Sequence, residues 1–476
     1  MRRVLIYGAG EAGEMVLQEI EKHPEERVEV CGFIDDDKAK VGCLIGAVRV
    51  LGGKEVLRGA IREYGINEVI IAMPSIEKPV IRDIVKICIS ERVKPLIVPS
   101  TWEIINGRVG FNQIRGIDPS DLIERESVRI DTERISGYIE GRTVLITGAA
   151  GSIGNRLVQK VLHYCPKKLI ALDINESGLF YLIQGLGEKR VTVVPCVEDI
   201  KDDRMLRDVF CRYRPSVVFH TAAYKHVPLM ENNIRMAFLN NVGGTLNLLR
   251  LSMYYGVQRF VGISTDKAVY PVSVMGKTKR LCELIVEAYA FMGLKACSVR
   301  FGNVLGSNGS VLTVFQEQLR RGGPLTLTSP DMERYFMTLE EATSLVLQAG
   351  GLEDTGVTYV LDMGNPIRIK DLAESCIILY GHTPMEDIKI LYTGVRAGEK
   401  LKEELFYHEN DVSMSSCRGI FIEKEVIDPE KVLNGAVEIM DKVYDVSYKE
   451  IISRMEEIIL SCSSRKKEEM EVTVSV

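Results

Sequence analysis

Short apolar runs alternate with helix-like segments along most of this chain. In about the first 100 residues the apolar runs are RRVLIYG, VEVCGFID, NEVIIAM and KPLIVP. Runs without an alternating polar face are typical of strands that are buried on both faces of a parallel sheet. Between them lie helix-like stretches such as EMVLQEIEKH and PVIRDIVKICISERV. This alternation predicts a doubly wound sheet with helices on both faces.

The alternation stops once and then begins again. The segment from Leu122 to Gly141 is charged and lacks strand character, which indicates a connector that is partly helical. The strand-like runs that follow it are TVLITG, KLIALDI, VTVVPCVED, SVVFHTAAY, RFVGIST and ACSVRFGNVLG. After about Asn303 such runs become sparser, with LTLTS, TYVLDM and IKILYT between helices. That change is typical of a smaller lobe that covers a ligand.

We therefore predict an α/β protein with two successive Rossmann-like doubly wound parallel sheets, the second with a smaller C-terminal substrate-binding lobe. The predicted parts are an N-terminal Rossmann-like, nucleotide-binding-like domain (1–121), a linker (122–141), a second Rossmann-like domain with its lobe (142–425) and a helical C-terminal segment (426–476). The last residues, RKKEEMEVTVSV, are polar, and we expect them to be frayed.

The composition is that of an ordinary globular protein. A length of 476 residues exceeds one typical domain, and 46% hydrophobic residues suffice for sizeable cores. The net charge of −6 argues against broad nucleic-acid affinity. Eleven cysteines without a CxxC pair or metal-like spacing indicate a reducing cytoplasm and no metal site. We find neither a signal-peptide h-region nor an apolar run of about 18 residues, so we expect a cytoplasmic protein with no integral membrane segment.

A glycine-rich loop just after the linker predicts a dinucleotide site. GAAGSIG follows the strand TVLIT and opens the helix NRLVQKVLHY. Its glycines let backbone amides approach a pyrophosphate, and the helix N-terminus favours negative charge. Asp173 ends the next strand, where an acid bonds the ribose hydroxyls of NAD and disfavours the 2′-phosphate of NADP. The predicted cofactor residues here are Gly148, Gly151, Ser152, Ile153, Gly154 and Asp173.

A second glycine pattern, near the N-terminus, has two interpretations. Gly8, Gly10 and Gly13 follow a strand, and Asp35–Asp37 follow the next one. Either this loop binds a nucleotide of unknown identity, or its glycines only pack a helix against a strand. The sequence leaves both open.

The stretch STDKAVYPVSVMGKTKR, residues 264–280, has the spacing of a nicotinamide-dependent dehydrogenase active site. Such a site uses a Ser or Thr, then a Tyr, then a Lys four residues after the Tyr. Lys279 is present, but Met275 stands in the Tyr position. A thioether neither holds nor gives up a proton. Either this is no active site, or another residue performs the proton chemistry.

Polar residues follow three strand-like runs of the second domain. Thr221–His226 follow SVVF, Ser264–Lys267 follow RFVGI, and Asn303 follows the strand that ends at Arg300. Open α/β sheets bind ligands outside the carboxyl ends of their strands. We therefore expect these groups to converge on one edge of the sheet.

Six stretches in the second domain together resemble one known family. They are GAAGSIG, TAAYKHVPLMENN, STDKAVYPVSVMGKTKR, RFGNVLGSNGSV, DMERYFMT and GVRAGEKLKEEL. The resemblance covers roughly residues 142–425 and is to the UDP-N-acetylglucosamine 4,6-dehydratases of the polysaccharide-biosynthesis family, which are extended short-chain dehydrogenases/reductases. A Met in the Tyr position is typical of the long members, whose preceding domain the N-terminal domain resembles. Long members begin with transmembrane helices, which this sequence lacks, so we do not expect their membrane anchoring.

The resemblance implies a three-step reaction on a UDP-sugar. NAD takes a hydride from C4, water leaves across C5 and C6, and the hydride returns to C6, so NAD stays bound. Thr265 is expected to bond O4, and Lys279 to bond the nicotinamide ribose. Asp266 and Lys267 are expected to be the acid and the base of the elimination. Burial moves an Asp and a Lys toward the neutral forms that these roles require. A water held by Thr265 or Lys267 replaces the missing phenol as the relay.

The resemblance also implies roles for residues around these groups. Asp199 is expected to contact the adenine, and Ala222 and Ala223 to lie along the cofactor. Asn241 is expected to order the helix beside the site. The expected substrate-binding residues are Lys225, Met275, Asn303, Arg334 and Arg396, where Arg offers a fork that matches phosphate oxygens. Met275 either lines the sugar pocket or only packs as core. Family members often form homo-oligomers, so we expect one here.

Two other functions fit the same sequence. A UDP-sugar epimerase or reductase on this scaffold also uses bound NAD, but it has no need of an Asp–Lys pair after Thr265. A non-catalytic nucleotide-sensing protein with two Rossmann-like modules would explain the missing Tyr. The sequence does not determine the C5 configuration of the product, the exact UDP-sugar or the oligomeric state.

Overall fold

The computed structural model of the chain describes residues 2–73, 78–98, 115–116, 130–187, 191–407 and 412–462. Part of the predicted linker (122–129) and the RKKEEMEVTVSV tail lie outside the described residues.

Strands follow the apolar runs of the sequence. In chain order they are β1 (Arg2–Tyr7), β2 (Val28–Ile34), β3 (Leu44–Ile45), β4 (Val48–Gly52), β5 (Glu68–Ile71), β6 (Lys94–Ile97), β7 (Arg115–Gly116), β8 (Thr143–Thr147), β9 (Lys168–Asp173), β10 (Thr192–Val197), β11 (Val217–His220), β12 (Arg259–Ile263), β13 (Ala296–Arg300), β14 (Asn303–Val304), β15 (Leu325–Leu327), β16 (Glu333–Arg334), β17 (Phe336–Met337), β18 (Thr358–Leu361), β19 (Ile367–Arg368), β20 (Ile390–Tyr392), β21 (Val412–Met414) and β22 (Ile420–Glu423).

Helices occupy the segments between these strands. They are α1 (Glu11–Lys22), α2 (Lys54–Tyr64), α3 (Lys78–Ser90), α4 (Thr132–Ile139), α5 (Ser152–Leu162), α6 (Glu176–Leu186), α7 (Asp203–Tyr213), α8 (Val227–Met230), α9 (Ile234–Ala237), α10 (Gly244–Tyr255), α11 (Val274–Phe291), α12 (Val311–Arg320), α13 (Leu339–Gly350), α14 (Ile369–Leu379), α15 (Pro429–Lys442) and α16 (Tyr448–Cys462). A π-helical turn, Phe238–Gly243, lies between α9 and α10, and short 3₁₀ turns include Asp266–Ala268.

The first compact unit contains the described residues within 1–126, together with Val311–Leu327 and Ile369–Tyr392. Its main sheet has the strand order β3-β4-β2-β1-β5-β6-β7, parallel from β4 to β6 and with an antiparallel strand at each edge. Alternate residues of β1 point into two separate cores, one that contains side chains of α2 and α3 and one that contains side chains of α1. This confirms the first predicted doubly wound sheet.

The second compact unit contains the described residues within 127–310, 328–368 and 393–476. Its main sheet has the order β10-β9-β8-β11-β12-β13-β18-β22-β21, parallel from β10 to β18. Strands β22 and β21 continue it in antiparallel pairing. The strand order reverses between β8 and β11, which confirms the second predicted Rossmann-like sheet and marks its ligand-binding edge. The boundaries of the four predicted parts stay predictions.

Two segments that flank the second sheet are built into its cores. In α4, inside the predicted linker, Ile135 and Ile139 are fully buried against the same cluster as side chains of α5 and α13. In α15 and α16, Val432 and Met455 are fully buried with Leu281 and Ile285 of α11. Both segments therefore help to hold the helices that support the sheet.

Candidate active site

The glycine-rich loop after β8 lies against the loop after β11. Gly148 has a φ of +68°, and a Cβ there would be 2.7 Å from the backbone N of Ala222. A Cβ on Gly154 would be 2.1 Å from the carbonyl oxygen of Gly148, so only glycine lets α5 begin this close to the turn. Gly151 caps α5 without a side-chain hydrogen bond. The loop therefore presents open backbone and a helix N-terminus, which suit a pyrophosphate.

Acidic residues lie at the ends of the next two strands of the sheet, β9 and β10. Asp173, at the end of β9, accepts hydrogen bonds from Ala150 N and Asn175 N, both at 2.9 Å. It therefore lies directly beside the glycine-rich loop, where a ribose acid is expected. Asp199, after β10, accepts from Lys201 N (2.9 Å) and pairs with Lys201 Nζ (2.7 Å). Their contacts with ribose and adenine stay predictions.

Two predicted ligand-binding side chains contact the same backbone residue. The Ser152 hydroxyl accepts a hydrogen bond from Asn308 N (3.0 Å), and Lys225 Nζ donates to the Asn308 carbonyl (2.7 Å). Ile153 packs at the edge of a core cluster, and Ala223 is half-buried. The segment around Asn308 thus connects the glycine-rich loop with the loop after β11.

The turn after β12 gathers four of the predicted site residues. Thr265 Oγ1 donates to Asp266 Oδ1 (2.8 Å), and Lys267 Nζ donates to the same oxygen (2.9 Å). Lys267 Nζ also donates to Asn303 Oδ1 (3.3 Å). Asp266 is fully buried, and its Oδ2 has no hydrogen-bond partner among the described residues. A buried carboxyl oxygen without a partner is costly unless it holds a proton or meets a ligand.

Helix α11 begins in contact with this turn. Ser273 caps the helix by accepting from Gly276 N (3.0 Å), and a Cβ on Gly276 would be 2.3 Å from the Lys267 carbonyl oxygen. Met275 is buried within a core cluster, which agrees with the core interpretation, and its contact with a sugar stays a prediction. Lys279 is 7% exposed, and within the described part of the chain its Nζ has no hydrogen-bond or salt-bridge partner. It is therefore available to a ligand.

Asn241 connects the loop after β11 with α11, as expected for the residue that orders this helix. It lies in the π-helical turn, its Oδ1 accepts from Tyr224 N (2.8 Å), and its Nδ2 donates to the Tyr224 carbonyl (3.1 Å). Its Nδ2 also donates to Thr278 Oγ1 (3.0 Å), next to Lys279. These bonds hold the position of Lys279 relative to the sheet edge.

His220, at the end of β11, was not singled out from the sequence. Its ring nitrogens lie 2.8 Å from Thr147 Oγ1 and 3.0 Å from Thr245 Oγ1. Burial lowers the pKa of His220 to about 3, and the charge of Lys279 adds to this effect. His220 is therefore neutral at physiological pH and acts as a structural hydrogen-bonding residue. Its position inside an apolar strand was the only signal in the sequence.

A family model described as polysaccharide biosynthesis protein matches residues 144–425, which is more than half of the chain. The chain belongs to this polysaccharide biosynthesis family. The resemblance of the six stretches to the polysaccharide-biosynthesis family is thereby confirmed, with the extended short-chain dehydrogenase/reductase fold that it implies, and the narrower resemblance to the 4,6-dehydratases stays a prediction. A second model, described as a CoA-binding domain, matches residues 1–99.

Relatives cover most of the chain. The probable polysaccharide biosynthesis protein EpsC of Bacillus subtilis is 41% identical over 414 residues, which is 86% of this chain and 69% of that protein. The capsular polysaccharide biosynthesis protein CapD of Staphylococcus aureus is 39% identical over 417 residues, with the same coverage of 86% and 69%. The X-ray structure of Pen from Bacillus thuringiensis is similar with a TM-score of 0.56 and 31% identity, over 60% of this chain and 90% of that one.

The matched N-terminal domain shows how its glycines are used. A Cβ on Gly13 would lie 2.0 Å from the Gly8 carbonyl oxygen, so the glycines bring α1 close to the turn after β1. Asp35 Oδ2 accepts from Ala9 N (2.7 Å) and from Lys40 Nζ (3.0 Å). These contacts agree with the packing interpretation, and the nucleotide interpretation stays a prediction.

Glu403 is a buried acid near the turn after β12 that the sequence alone does not single out. Its Oε1 lies 3.8 Å from Lys267 Nζ and 3.8 Å from the Arg334 guanidinium. Burial raises the pKa of Glu403; the Asp266 carboxylate adds to the rise, and Lys267, Arg334 and Lys400 oppose it. The motif GVRAGEKLKEEL contains Glu403 next to Glu404, and the sequence does not indicate which of the two side chains is buried.

The two predicted diphosphate ligands differ in environment. Arg334 is buried and donates to the carbonyl oxygens of Glu333 (2.7 Å), Leu401 (3.0 Å) and Lys400 (2.8 Å), so its guanidinium holds the segment that carries Glu403. The Arg396 side chain is exposed, and its backbone N donates to Glu399. Their role as phosphate ligands stays a prediction.

A network of buried charges lies behind the turn after β12. Ser264 Oγ donates to Glu283 Oε1 (2.7 Å), and Arg300 forms two bonds with the same carboxylate (2.9 and 2.8 Å). Arg280 Nη1 donates to Glu283 Oε2 (2.9 Å). Burial raises the pKa of Glu283, but the charges and hydrogen bonds of Arg300 and Arg280 outweigh burial and hold the pKa at about 2. The network ties β12, β13 and α11 together.

The described residues were searched for metal-ligand clusters and for helices long enough to cross a membrane. No group of three or more His, Cys, Asp or Glu side chains there could hold a metal ion. Among the same residues, no helix combines the length and the apolar character that a membrane crossing requires.

Proposed function

We propose that this chain is an NAD-dependent dehydratase that converts UDP-N-acetylglucosamine to a UDP-4-keto-6-deoxy-N-acetylhexosamine, an early step in surface polysaccharide or glycan biosynthesis. The observation that carries the proposal is the hydrogen-bonded cluster of Thr265, Asp266, Lys267 and Asn303 at the carboxyl end of β12. A buried acid and an amine that share one hydrogen bond match the acid–base pair that an elimination needs. Membership of a polysaccharide biosynthesis family supports the same reading.

The residues around the glycine-rich loop fit NAD. Gly148 and Gly154 form a cradle that a Cβ would fill, and the N-terminus of α5 favours the pyrophosphate. Asp173 lies beside this loop, which favours a free ribose hydroxyl over a 2′-phosphate, and hence NAD over NADP. Lys279 is the donor for the nicotinamide ribose. When bound, NAD supplies the oxidising chemistry, since it takes up a hydride from the sugar and later gives it back.

Asp266 and Lys267 perform the elimination in this mechanism. Once the sugar is a 4-ketone, its C5 proton is acidic, and Lys267 in its neutral form accepts that proton. The C6–oxygen bond breaks, and Asp266 gives its proton to the leaving hydroxyl, which departs as water. The pair therefore begins as a neutral acid and a neutral amine and ends as carboxylate and ammonium, with its total proton count unchanged. The Thr265 hydroxyl orients O4, and a water on Thr265 or Lys267 carries away its proton.

The burial of Asp266 and the partial exposure of Lys267 support the two roles proposed for them. Asp266 has no exposed surface, and only one of its carboxyl oxygens is hydrogen-bonded among the described residues. The second oxygen, Oδ2, is therefore available for a hydrogen bond with a substrate oxygen. Lys267 remains 20% exposed at its side chain, which leaves it accessible to the sugar.

Incubation with UDP-N-acetylglucosamine in deuterated water, with NMR of the product, tests the proposal. We expect a new methyl group and deuterium at C5, and the C5 configuration follows from the same spectrum. A 4-epimer without deuterium would instead indicate a UDP-sugar epimerase. Tight binding of NAD and UDP-sugar without any turnover would indicate a nucleotide-sensing protein. Either outcome removes the dehydratase assignment.

A further inference from the structure

The segment between β14 and α12 connects two of the ligand-binding loops. Asn308 N donates to the hydroxyl of Ser152, the first residue of α5, at 3.0 Å. The Asn308 carbonyl accepts from Nζ of Lys225, in the loop after β11, at 2.7 Å. A single residue of the segment thus bonds the end of the glycine-rich loop on one side and the loop after β11 on the other. We call residues 305–310 the strap.

The start of the strap is fixed to the second sheet. Leu305 is buried, and its N donates to the Met337 carbonyl (2.9 Å), which continues the pairing of β14 with β17. Ser307 is also buried, and its Oγ donates to the Val304 carbonyl (2.9 Å). Val304 and Met337 lie in one core cluster. The strap therefore begins at a fixed point, and its freedom to move lies in the residues after Ser307.

Two glycines set the path of the strap. Gly306 and Gly309 both have a φ of +67°, which residues with a side chain rarely adopt. A Cβ on Gly309 would lie 2.7 Å from His226 Cε1, so the missing side chain lets the strap lie against the loop after β11. A Cβ on Gly306 would meet nothing within 4 Å. The two glycines share one backbone conformation and differ in what they contact.

The far end of the strap is held by weak bonds. Asn308, Gly309 and Lys225 are exposed, and so are the two hydrogen bonds of Asn308. A hydrogen bond that competes with water contributes little net stability. The buried start and the exposed end therefore differ in strength, as in a segment that opens at one end while the other stays on the sheet.

We propose that residues 305–310 close the dinucleotide site and slow the exchange of bound NAD, and that Lys225 is the positioning residue that holds them closed. The inference rests on the proposed function. Ser152 begins the helix whose N-terminus suits the pyrophosphate, so a strap bonded there bridges the two loops across the site. Because the hydride returns to the sugar, NAD is bound once for many turnovers, and slow exchange does not limit the rate. This role differs from the sugar contact that the sequence predicts for Lys225.

Lys225→Met removes the ammonium donor and keeps an unbranched side chain. The protein is loaded with NAD and mixed with an excess of isotope-labelled NAD, and the labelled fraction that stays bound is followed by mass spectrometry. We expect exchange to be about tenfold faster than in the wild type, the size that one hydrogen bond explains. Lys225→Arg should restore slow exchange. A Lys225→Met variant with a raised KM for the sugar nucleotide and unchanged NAD exchange would overturn the proposal.

Lys160→Met is the matched control. Lys160 lies on the same helix, α5, and its Nζ also donates to a backbone carbonyl, that of Glu340 (3.0 Å), but away from the strap. Its replacement is expected to leave NAD exchange unchanged. Acceleration equal to that of Lys225→Met would mean that any loosening of α5 releases NAD, and it would refute a specific role of the strap.

The two glycines provide an independent comparison. Gly309→Ala pushes the strap away from His226 and should accelerate NAD exchange, whereas Gly306→Ala has the same φ and open space for its Cβ, so its effect should be smaller. Equal acceleration by both substitutions would contradict the proposal, because backbone strain rather than contact with the loop would then be the cause.

A second measurement needs no bound NAD. Hydrogen–deuterium exchange at short labelling times, read on the peptide that contains residues 305–310, reports whether the Asn308 amide is bonded. We expect faster deuterium uptake in Lys225→Met than in the wild type and in Lys160→Met. Equal uptake in all three proteins would refute the strap. A wild type that shows a closed strap but binds no NAD would instead refute the proposed function.

Discussion

Replacing Glu287 with Gln should stabilise the folded chain, and the gain should grow as pH rises. Glu287 lies on α11, is 4% exposed, and its Oε1 accepts a long hydrogen bond from Thr358 Oγ1 (3.3 Å). Its Oε2 is buried and has no hydrogen-bond partner within the described ranges. Burial raises the pKa of Glu287 to about 8; the carboxylates of Glu425 and Glu283 add to the rise, while nearby arginines oppose it.

The size of the effect follows from that shift. In the unfolded chain this carboxyl ionises near 4.5, whereas in the folded chain it keeps its proton until about pH 8. The folded state thus binds more protons between these values, and its stability falls as pH rises through that window. One pKa unit corresponds to about 1.4 kcal/mol, so the loss is about 3 kcal/mol at pH 7 and about 5 kcal/mol above pH 8. Gln keeps the neutral shape and has no such loss.

Glu283→Gln is the matched control, one helical turn earlier on α11. The folded pKa of Glu283 is about 2, below its ordinary 4.5, so its carboxylate stabilises the fold above pH 4.5 and this contribution disappears as pH falls through 2. Its replacement should therefore destabilise the protein by about 3 kcal/mol at neutral pH, because Arg300 and Arg280 lose the charged partner that lowers this pKa. The two substitutions are chemically identical and opposite in expected sign.

Differential scanning calorimetry of the three proteins from about pH 5 to about pH 9 measures the effect. The difference in unfolding free energy between Glu287→Gln and the wild type should increase across this range. A difference that stays constant with pH would refute the reasoning, because it would mean that Glu287 does not hold a proton in the folded state. Stabilisation of the protein by Glu283→Gln at neutral pH would also refute the reasoning, because it would mean that the folded state does not favour the ionised form of Glu283.

Three further substitutions test the site. Gly276→Ala places a Cβ 2.3 Å from the Lys267 carbonyl oxygen, so the turn after β12 must shift to make room for it. We expect kcat to fall by about 100-fold, whereas NAD binding, measured by calorimetry, should be unchanged. Gly154→Ala places a Cβ 2.1 Å from the Gly148 carbonyl oxygen, so the variant should lose bound NAD during gel filtration. Full retention of NAD would contradict the proposal that Gly148 and Gly154 form the cradle for its pyrophosphate. Asp266→Asn should slow formation of the keto-deoxy sugar by about 10²–10⁴-fold with NAD still bound, and an undiminished rate would remove Asp266 as the acid.

Much of the second sheet could be predicted because its strands are continuous apolar runs. The rule that ligand-binding residues follow parallel strands placed Thr265–Lys267 next to Asn303, and the structure brings them within hydrogen-bond distance. The packing of α15 and α16 on α11 could not be predicted, because an amphipathic pattern tells that a face is buried but not against which helix. Glu403 could not be predicted for the same reason. The direction of its side chain depends on hydrogen bonds that Arg334 and Arg300, both distant in sequence, donate to backbone carbonyl oxygens around it.

The buried charges behind the candidate site explain how the turn after β12 keeps its geometry. Glu283 accepts from Ser264, the residue before Thr265, and from Arg280, the residue after Lys279. Tyr407 stacks on the Arg280 guanidinium at 4.4 Å and donates to the Ala268 carbonyl at the end of the turn (2.7 Å).

This network of buried charges therefore fixes both ends of the turn and sets the distance between the turn and Lys279 of α11. Buried ion pairs contribute little net stability compared with apolar packing, and Glu287 even lowers stability as pH rises. We infer that these charges serve geometry more than stability, because their directional hydrogen bonds fix Ser264 and Arg280 and thereby hold the turn after β12 in place.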